Sequence, residues 1–557
     1  MKTGPFIRLF GCAFIASGWL TGCGSSNAPV PESDLLLAQE SVIAPCDASN
    51  LTDTTCLPPE PKLPSGCFTV AAPRTVTPTV EGGTNTFVPE GELDYLDKLD
   101  NSLITPWFAQ GYRCVELATG PNGANAFLIG QLKLTSYQTL VIDKGVTVYA
   151  SRNPLSYGAG CVVTDERAAV TDTAATGDMF FDCGGVIMAT GDHVAIMGEG
   201  TIDGQGGEPL IGVPSPTNDI DTAADPAIAP GAFSWWNVSD FQRHDTGAMG
   251  AGPGSAPNPA LVRVDNATNF VLYKVHLYNS PFFHVELNSD RFLVWGVDIH
   301  TPYGATSSAG QLLSNYVARN TDGIDPGAAT GVTQNGYIVG TTISTGDDMI
   351  ALKGLATGGA NNIVIAHNHF GTGHGMSIGS GTILGVTNVH VYDLTMDGDV
   401  PVDPLTSGSD INGLRIKSYA GAGGWVRDIL FEDVCTRDEA YPIDITASYT
   451  ANPMIFPLGV PPDFEDITVK DFHQIDVNGP QHATEVTVDV EGDTTHTATV
   501  TFDNVWVEQS HGKKGGPVLT VASTATLTGT MNTGAPPAGS DDSCAGKSWW
   551  PTAPTIP

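Results

Sequence analysis

A strand-forming theme recurs along this chain with no helical pattern between its copies. It reads "NFVLYKVHLYNS" from Asn269, "RFLVWGVDIHT" from Arg291, "NGYIVGTTIST" from Asn335, "NIVIAHNHFGT" from Asn362 and "NVHVYDLTMDG" from Asn388. Each copy joins an alternating apolar run to a polar turn. Phe270 to Phe292 is a step of 22 residues and Ile363 to Val389 one of 26. More widely spaced copies follow: "VRDILFEDVCT" from 426, "FEDITVKDFHQ" from 464 and "TATVTFDNVWV" from 497. A repeat of this length is a solenoid pattern, and built of strands alone it predicts an all-β parallel β-helix. A sandwich or barrel would show hairpin turns instead. The 65 glycines, 39 prolines and only 15% charged residues agree with a turn-rich all-β chain.

Stacked rungs lie about 4.8 Å apart, so roughly ten of them make a wall about 50 Å long. Residues about 25 apart in sequence then become neighbours, and equivalent positions form a line. That geometry suits a linear polymer lying in a groove. One amphipathic helix is predicted, "ELDYLDKLDNSL" (92–103), with Leu93, Leu96, Leu99 and Leu103 on one face. It is placed as a cap over the open end of the solenoid.

Lys and Arg number 24 against 60 acidic residues, a net charge of −36. Such a field repels nucleic acid and anionic lipid, and a polyanionic substrate would need local cations of its own. At the N-terminus, Lys2 and Arg8 precede an apolar stretch ending in small residues, the form of a secretion signal. Leu20-Thr21-Gly22-Cys23 resembles a bacterial lipobox, implying cleavage before Cys23 and a lipid anchor there, in the outer membrane since Gly24 follows. An exported protein is expected, an outer-membrane lipoprotein or extracellular. The organisation expected is a signal over 1–23, a Pro- and Ser-rich tether over 24–66, the β-helix over 67–530 and a tail over 531–557. Beyond Cys23 the cysteines are 46, 56, 67, 114, 161, 183, 435 and 544, an even set that suggests disulfides in an exported chain. Cys161 with Cys183, flanking one loop-like segment, is the first expected pair and Cys67 with Cys114 the second. Cys435 reads as a buried strand thiol, with a disulfide at Cys544 left open.

Four polar clusters sit at rung intervals. Asp322 lies in "NTDGIDP" (320–326), Asp347 and Asp348 in "STGDDMIALKG" (344–354), His374 in "GTGHGMSIGS" (371–380), and Arg415 with Lys417 in "GLRIKS" (413–418). Each alone is commonplace, since NTDG suits an Asx-turn and Arg-x-Lys a solvated strand face. Successive strand residues point to opposite faces, so Asp347 and Asp348 can share a cleft only if the backbone bends, and Gly346 would permit that. Three carboxylates brought close repel, so at least one should keep its proton near neutral pH. That is what glycoside hydrolysis requires: one carboxyl protonates the leaving oxygen and another, as carboxylate, activates water. Between 301 and 420 the basic residues other than histidine are Arg319, Lys353, Arg415 and Lys417. In so acidic a chain, cations placed beside these motifs point to a carboxylated substrate.

"NTDGIDP", "TGDDMIALKG", "FGTGHGMSIGS" and "NGLRIKS", in this order, resemble the motif set of the polygalacturonases, glycoside hydrolase family twenty-eight, most closely the bacterial endopolygalacturonases. "VIDKGVTVYASRNP" (141–154), "GEGTIDGQGG" (198–207), "SWW" (234–236) and "NSPFFHV" (279–285) agree, so the resemblance runs from about 67 to 510. It implies a right-handed parallel β-helix and inverting hydrolysis of α-1,4 bonds between galacturonate units. Asp347 matches the general acid, Asp322 and Asp348 the pair that activates water, and His374 the histidine that assists the acid. Arg415 and Lys417 match the residues that hold the substrate carboxylate, and Tyr449 a sugar-binding tyrosine. Asn320 and Lys353 join the expected substrate-binding set, Asn320 chiefly for shape. No cofactor or metal is expected, polygalacturonate is the expected partner, and the chain is expected to be a monomer. The stretches 206–258 and 398–410 are longer than the compact bacterial enzymes need, and could wall off one end of the groove so that cleavage proceeds from chain ends. Two rival readings are a calcium-dependent pectate lyase, with the aspartates as ligands, and a non-catalytic polysaccharide-binding β-helix.

Overall fold

A computed structural model describes residues 57–76, 99–158, 161, 183–211, 233–238, 258–301, 318, 320–328, 331–355, 357–398, 412–420, 424–449, 461–476, 486–508 and 518–556. Cys23, most of the expected tether, positions 92–98 of the expected helix and most of the stretches 206–258 and 398–410 lie outside these. The described strands pair in parallel along three continuous ladders and wind as a right-handed parallel β-helix.

The first ladder shows why the sequence repeats. Val115, Leu140, Ile196, Leu272, Val294, Ile338, Ile365, Val391, Phe431, Val469 and Phe502 stand in one unbroken register. All eleven are buried in the same interior core. The polar residue opening each copy of the theme has its own cause. Asn269, Arg291, Asn335, Asn362 and Asn388 take φ of 58°, 57°, 58°, 58° and 56° at equivalent turns, and Asp428 and Asp466 continue the series. Asn and Asp tolerate this left-handed conformation best among residues with a side chain. The Asn362 amide also donates to Asn335 Oδ1 at 2.6 Å, so the turns are bonded rung to rung. Gly336 stands between Phe292 and Ile363, and a Cβ there would lie 2.0 Å from the Phe292 ring.

An α-helix shares positions 101–103 with the expected one, whose positions 92–98 lie outside the described residues. It spans Asn101–Ala109 and starts after Asp100, whose carboxylate accepts from Arg74 and from the Leu128 N–H. The buried residues are Ile104 and Phe108, one turn apart, and Leu103 faces outward. Trp107 stacks on Phe68 in the first strand, with ring centroids 3.5 Å apart.

Disulfides join Cys67 to Cys114, Cys161 to Cys183 and Cys435 to Cys544. Cys435 is therefore not a free thiol. It follows the inward-facing Val434, so its side chain points out to the chain that returns over it. After the last strand, Ala525–Thr533, residues 534–556 run back across the outside of the solenoid. His473 Nδ1 lies 2.7 Å from Asp542, Lys547 pairs with Asp433 and Asp393, and the Arg437 guanidinium sits 4.5 Å over the Trp549 ring. Further along, the Thr552 carbonyl is 2.7 Å from His369 Nδ1, and Trp550 meets His300.

The strap ends on an apolar stripe. Met197, Tyr273, Trp295, Val339, Ala366 and Tyr392 share one register on the outer side of the first ladder, yet all are buried. Ile556 and Leu57 pack against this cluster. Residues 57–66, expected as tether, thus lie on the solenoid, and Glu60 bonds Tyr273 and Lys274 at 2.7 Å each.

Candidate active site

The third ladder carries the site. Val262, Val285, Ile324, Ile350, Met376, Leu414, Ile443 and Val488 line its inner side. The residue after each points outward: Arg263, Glu286, Asp325, Ala351, Ser377, Arg415, Asp444 and Asp489. One step of alternation separates the core from a charged face. Small residues, Ala351 and Ser377, lie between an acidic end and the Arg415 end.

Asp347 and Asp348 do not occupy a strand, because Ile350–Leu352 begins only after them. They lie in a bend interlocked with the preceding rung. Thr321 Oγ1 accepts the Gly346 N–H at 3.0 Å, and the Gly323 N–H donates to the Asp348 carbonyl at 2.9 Å. Gly346 is required by this close approach, since a Cβ would sit 2.4 Å from the Ala318 carbonyl oxygen. Its φ is not in the left-handed region, so packing rather than backbone freedom selects glycine there.

The bend sends both carboxyls to one place with different partners. Asp347 Oδ1 lies 3.0 Å from His374 Nδ1 and accepts the Asp348 N–H, and Oδ2 accepts the Asn320 N–H. The Asp348 oxygens take the Lys417 ammonium at 2.7 and 3.0 Å, and Oδ1 also accepts from Ser377 at 2.7 Å. Asp322 is buried, with Lys353 Nζ at 3.3 Å from Oδ2 and no hydrogen bond to Oδ1. Arg415 sits 3.3 Å from Asp444, and both it and Lys417 face the Tyr449 ring, at 5.3 and 5.4 Å. Asn320 reaches the site through its backbone, in a left-handed conformation of φ 58°.

Charge is divided unequally among the carboxyls. Burial pushes Asp322 well above the ordinary carboxylate range, with Asp325 and Asp347 adding to the push and Lys353 opposing it. Burial also opposes ionisation of Asp347, but His374, Lys417 and Lys353 outweigh it and hold that carboxyl well below its usual range. Asp348 is likewise lowered, burial being overcome chiefly by Lys417. The proton that crowding retains therefore rests on Asp322 in the free site, and Asp347 is ionised.

Asp347, Asp348 and His374 bring ligand-type atoms within reach of one another. The Lys417 ammonium already straddles Asp348 and His374 faces Asp347, so these donors are arranged around protons rather than a cation cage. Two participants escaped the sequence reading. Ser377 lies three residues after His374 in the same motif, and strand alternation turns it to the cleft. Asp325, three after Asp322, is fully buried and 3.2 Å from Lys353.

The sequence model for glycosyl hydrolases family 28 matches residues 124–526. A polygalacturonase of Ralstonia nicotianae is 35% identical over 446 residues, covering 75% of this chain and 73% of the relative. An endo-polygalacturonase of Pectobacterium carotovorum subsp. carotovorum is 34% identical over 416 residues, covering 74% and 81%. Among solved structures, the polygalacturonase from Erwinia carotovora ssp. carotovora superposes with a TM-score of 0.53 at 30% identity, covering 83% of this chain and all of that one.

Proposed function

Because the chain belongs to glycosyl hydrolases family 28, we propose that it is a polygalacturonase that cleaves α-1,4 bonds within polygalacturonate chains, with inversion. The observation that carries this reading is the pair Asp347–Asp348, turned to one cleft and partnered oppositely, one by His374 and the other by Lys417.

Asp347 acts as the general acid. It is ionised in the free site, so its proton comes through His374. When sugar displaces water, an aspartate–imidazolium ion pair loses solvation and the neutral pair is favoured, which moves the proton onto Oδ1. Asp348, ionised and held by Lys417 and Ser377, takes the proton from the attacking water, and Asp322, which keeps its own proton in the free site, joins it as a base only once that proton has passed to solvent. Water attacks the anomeric carbon opposite the leaving oxygen, that oxygen takes the Asp347 proton, and configuration inverts. Arg415, flanking Tyr449, receives a galacturonate carboxylate, with Lys417 contributing charge from beneath.

A calcium-dependent lyase is the less favoured reading, since Lys417 fills the position a cation would need beside Asp348. The test is digestion of polygalacturonate with chelator present, following viscosity and reducing ends together. A fast viscosity drop at low reducing-end yield is expected. Reducing ends without viscosity loss would mean trimming from chain ends, and absence of reducing ends would overturn hydrolysis. Export and anchoring through a lipidated Cys23 is part of the same proposal. Cys23→Ala should abolish fatty-acid labelling and release the protein from membranes.

A further inference from the structure

Lys353 arrives from the rung beyond Asp322, anchored by its N–H to the Pro326 carbonyl at 2.8 Å. Its ammonium lies 3.3 Å from Asp322 Oδ2 and 3.2 Å from Asp325 Oδ2, with the Phe283 ring at 5.4 Å. The carboxyls are almost wholly buried, at 3% and 0% side-chain exposure, and the lysine side chain is 12% exposed. One cation therefore serves two carboxyls that water does not solvate. It can balance only one of them, and the other must hold a proton.

We propose that Lys353 and Asp325 are positioning residues that decide whether Asp322 carries charge beside the Asp347–Asp348 pair, and that Lys353 does not grip substrate. This rests on the reading of Asp322 as one of the carboxylates that activate water. The groups facing Asp322 are Asp325, Asp347, Asp348 and Lys353, with His284 bound to its main-chain carbonyl at 3.1 Å. Behind Asp325, Glu286 stands opposite in register and pairs with Arg263 at 3.4 Å, closing the charge set on that side. Burial lifts Asp325 to about 7 against the pull of Lys353, so near that pH it competes with Asp322 for the same ammonium.

The geometry demands opposite responses from two substitutions. Asp325→Asn gives the ammonium to Asp322 alone and should lower the pH at which Asp322 ionises by about 1–3 units. Lys353→Met removes the cation and should raise that pH by a similar amount, while Lys353→Arg, keeping the charge, should restore it. The readout is the infrared carboxylic-acid band of Asp322, identified as the band lost in Asp322→Asn and followed by pH titration of each full-length variant. Steady-state kinetics on polygalacturonate should show Lys353→Met lowering kcat with KM within about twofold, whereas a substrate-gripping lysine would raise KM.

Shifts in opposite directions support the proposal. A band that ionises at the same pH in wild type, Asp325→Asn and Lys353→Met overturns it, as does a raised KM with unchanged kcat in Lys353→Met. If Lys353→Met does not fold, Asp325→Asn decides alone, because its lysine stays paired with Asp322. Wild-type turnover in Asp322→Asn would instead remove the premise about Asp322, a result the titration does not affect.

Discussion

The Lys417 ammonium spans both carboxylate oxygens of Asp348, although 69 residues separate the two in sequence. The residue expected to hold substrate is thus engaged with a carboxylate proposed to activate water, and its loss should be felt in turnover as well as in binding. Lys417→Met leaves Asp348 buried and uncompensated, at a cost of about 3–5 kcal/mol. Asp348 is depressed in the folded state, so this stabilisation is present above the unfolded carboxylate value and disappears as pH falls. Denaturant unfolding should show a wild-type advantage at pH 7 that shrinks below about pH 4. Kinetics should show kcat falling at least tenfold, and an effect confined to KM would contradict the assignment.

His374 is the group through which a proton reaches Asp347, so its loss should act on turnover. His374→Gln should reduce kcat by about 10²–10⁴. Steady-state kinetics of the variant checks this, and a kcat near that of wild type would remove His374 from the proton path.

Ser377 donates to a charged oxygen that Lys417 also bonds. Its removal weakens rather than orphans Asp348. Ser377→Ala should lower kcat/KM by an amount matching about 1.5–3 kcal/mol, roughly 10- to 150-fold, with the melting temperature little changed. Rescue by Ser377→Thr, which keeps the hydroxyl, would separate the hydrogen bond from packing.

Cutting the Cys435–Cys544 bridge should loosen the returning segment without touching the cleft. Cys544→Ser removes a cross-link over a separation of 109 residues, and a loss of about 2–4 kcal/mol is expected. Turnover measured well below the unfolding transition should match wild type, and a large drop would connect the strap to catalysis.

The solenoid was legible because every rung must solve the same two problems, filling the core and turning left-handed, so Asn269, Asn335, Asn362 and Asn388 repeat with the apolar runs. The four polar clusters were legible for a related reason: stacking converts rung spacing into proximity. The division of labour within the site was not. Whether Lys353 or Arg415 meets substrate depends on burial and on which carboxylates lie across the rung, and neither leaves a local trace. Asp347 was expected to hold the proton because a general acid must, yet the partner that sets its charge, His374, comes from the next rung. Residues 534–556 were unreadable since they form no rung and obey no period. Cys435 reads as a lone thiol for the same reason, because its partner Cys544 belongs to that segment.

Synthesis order gives the strap a meaning that its contacts alone do not. A solenoid can add turns one after another as the chain emerges from the ribosome, each resting on its predecessor. Residues 534–556 emerge after all the rungs they cross, and they reach back to the rungs of Gly340 and His300. Until they arrive, the stripe of Tyr273, Trp295 and Tyr392 has only part of its cover. A chain released short of Cys544 would own every turn of the β-helix and its whole catalytic cleft. It would still display a partly uncovered aromatic flank, an exposed apolar patch that the finished molecule does not have.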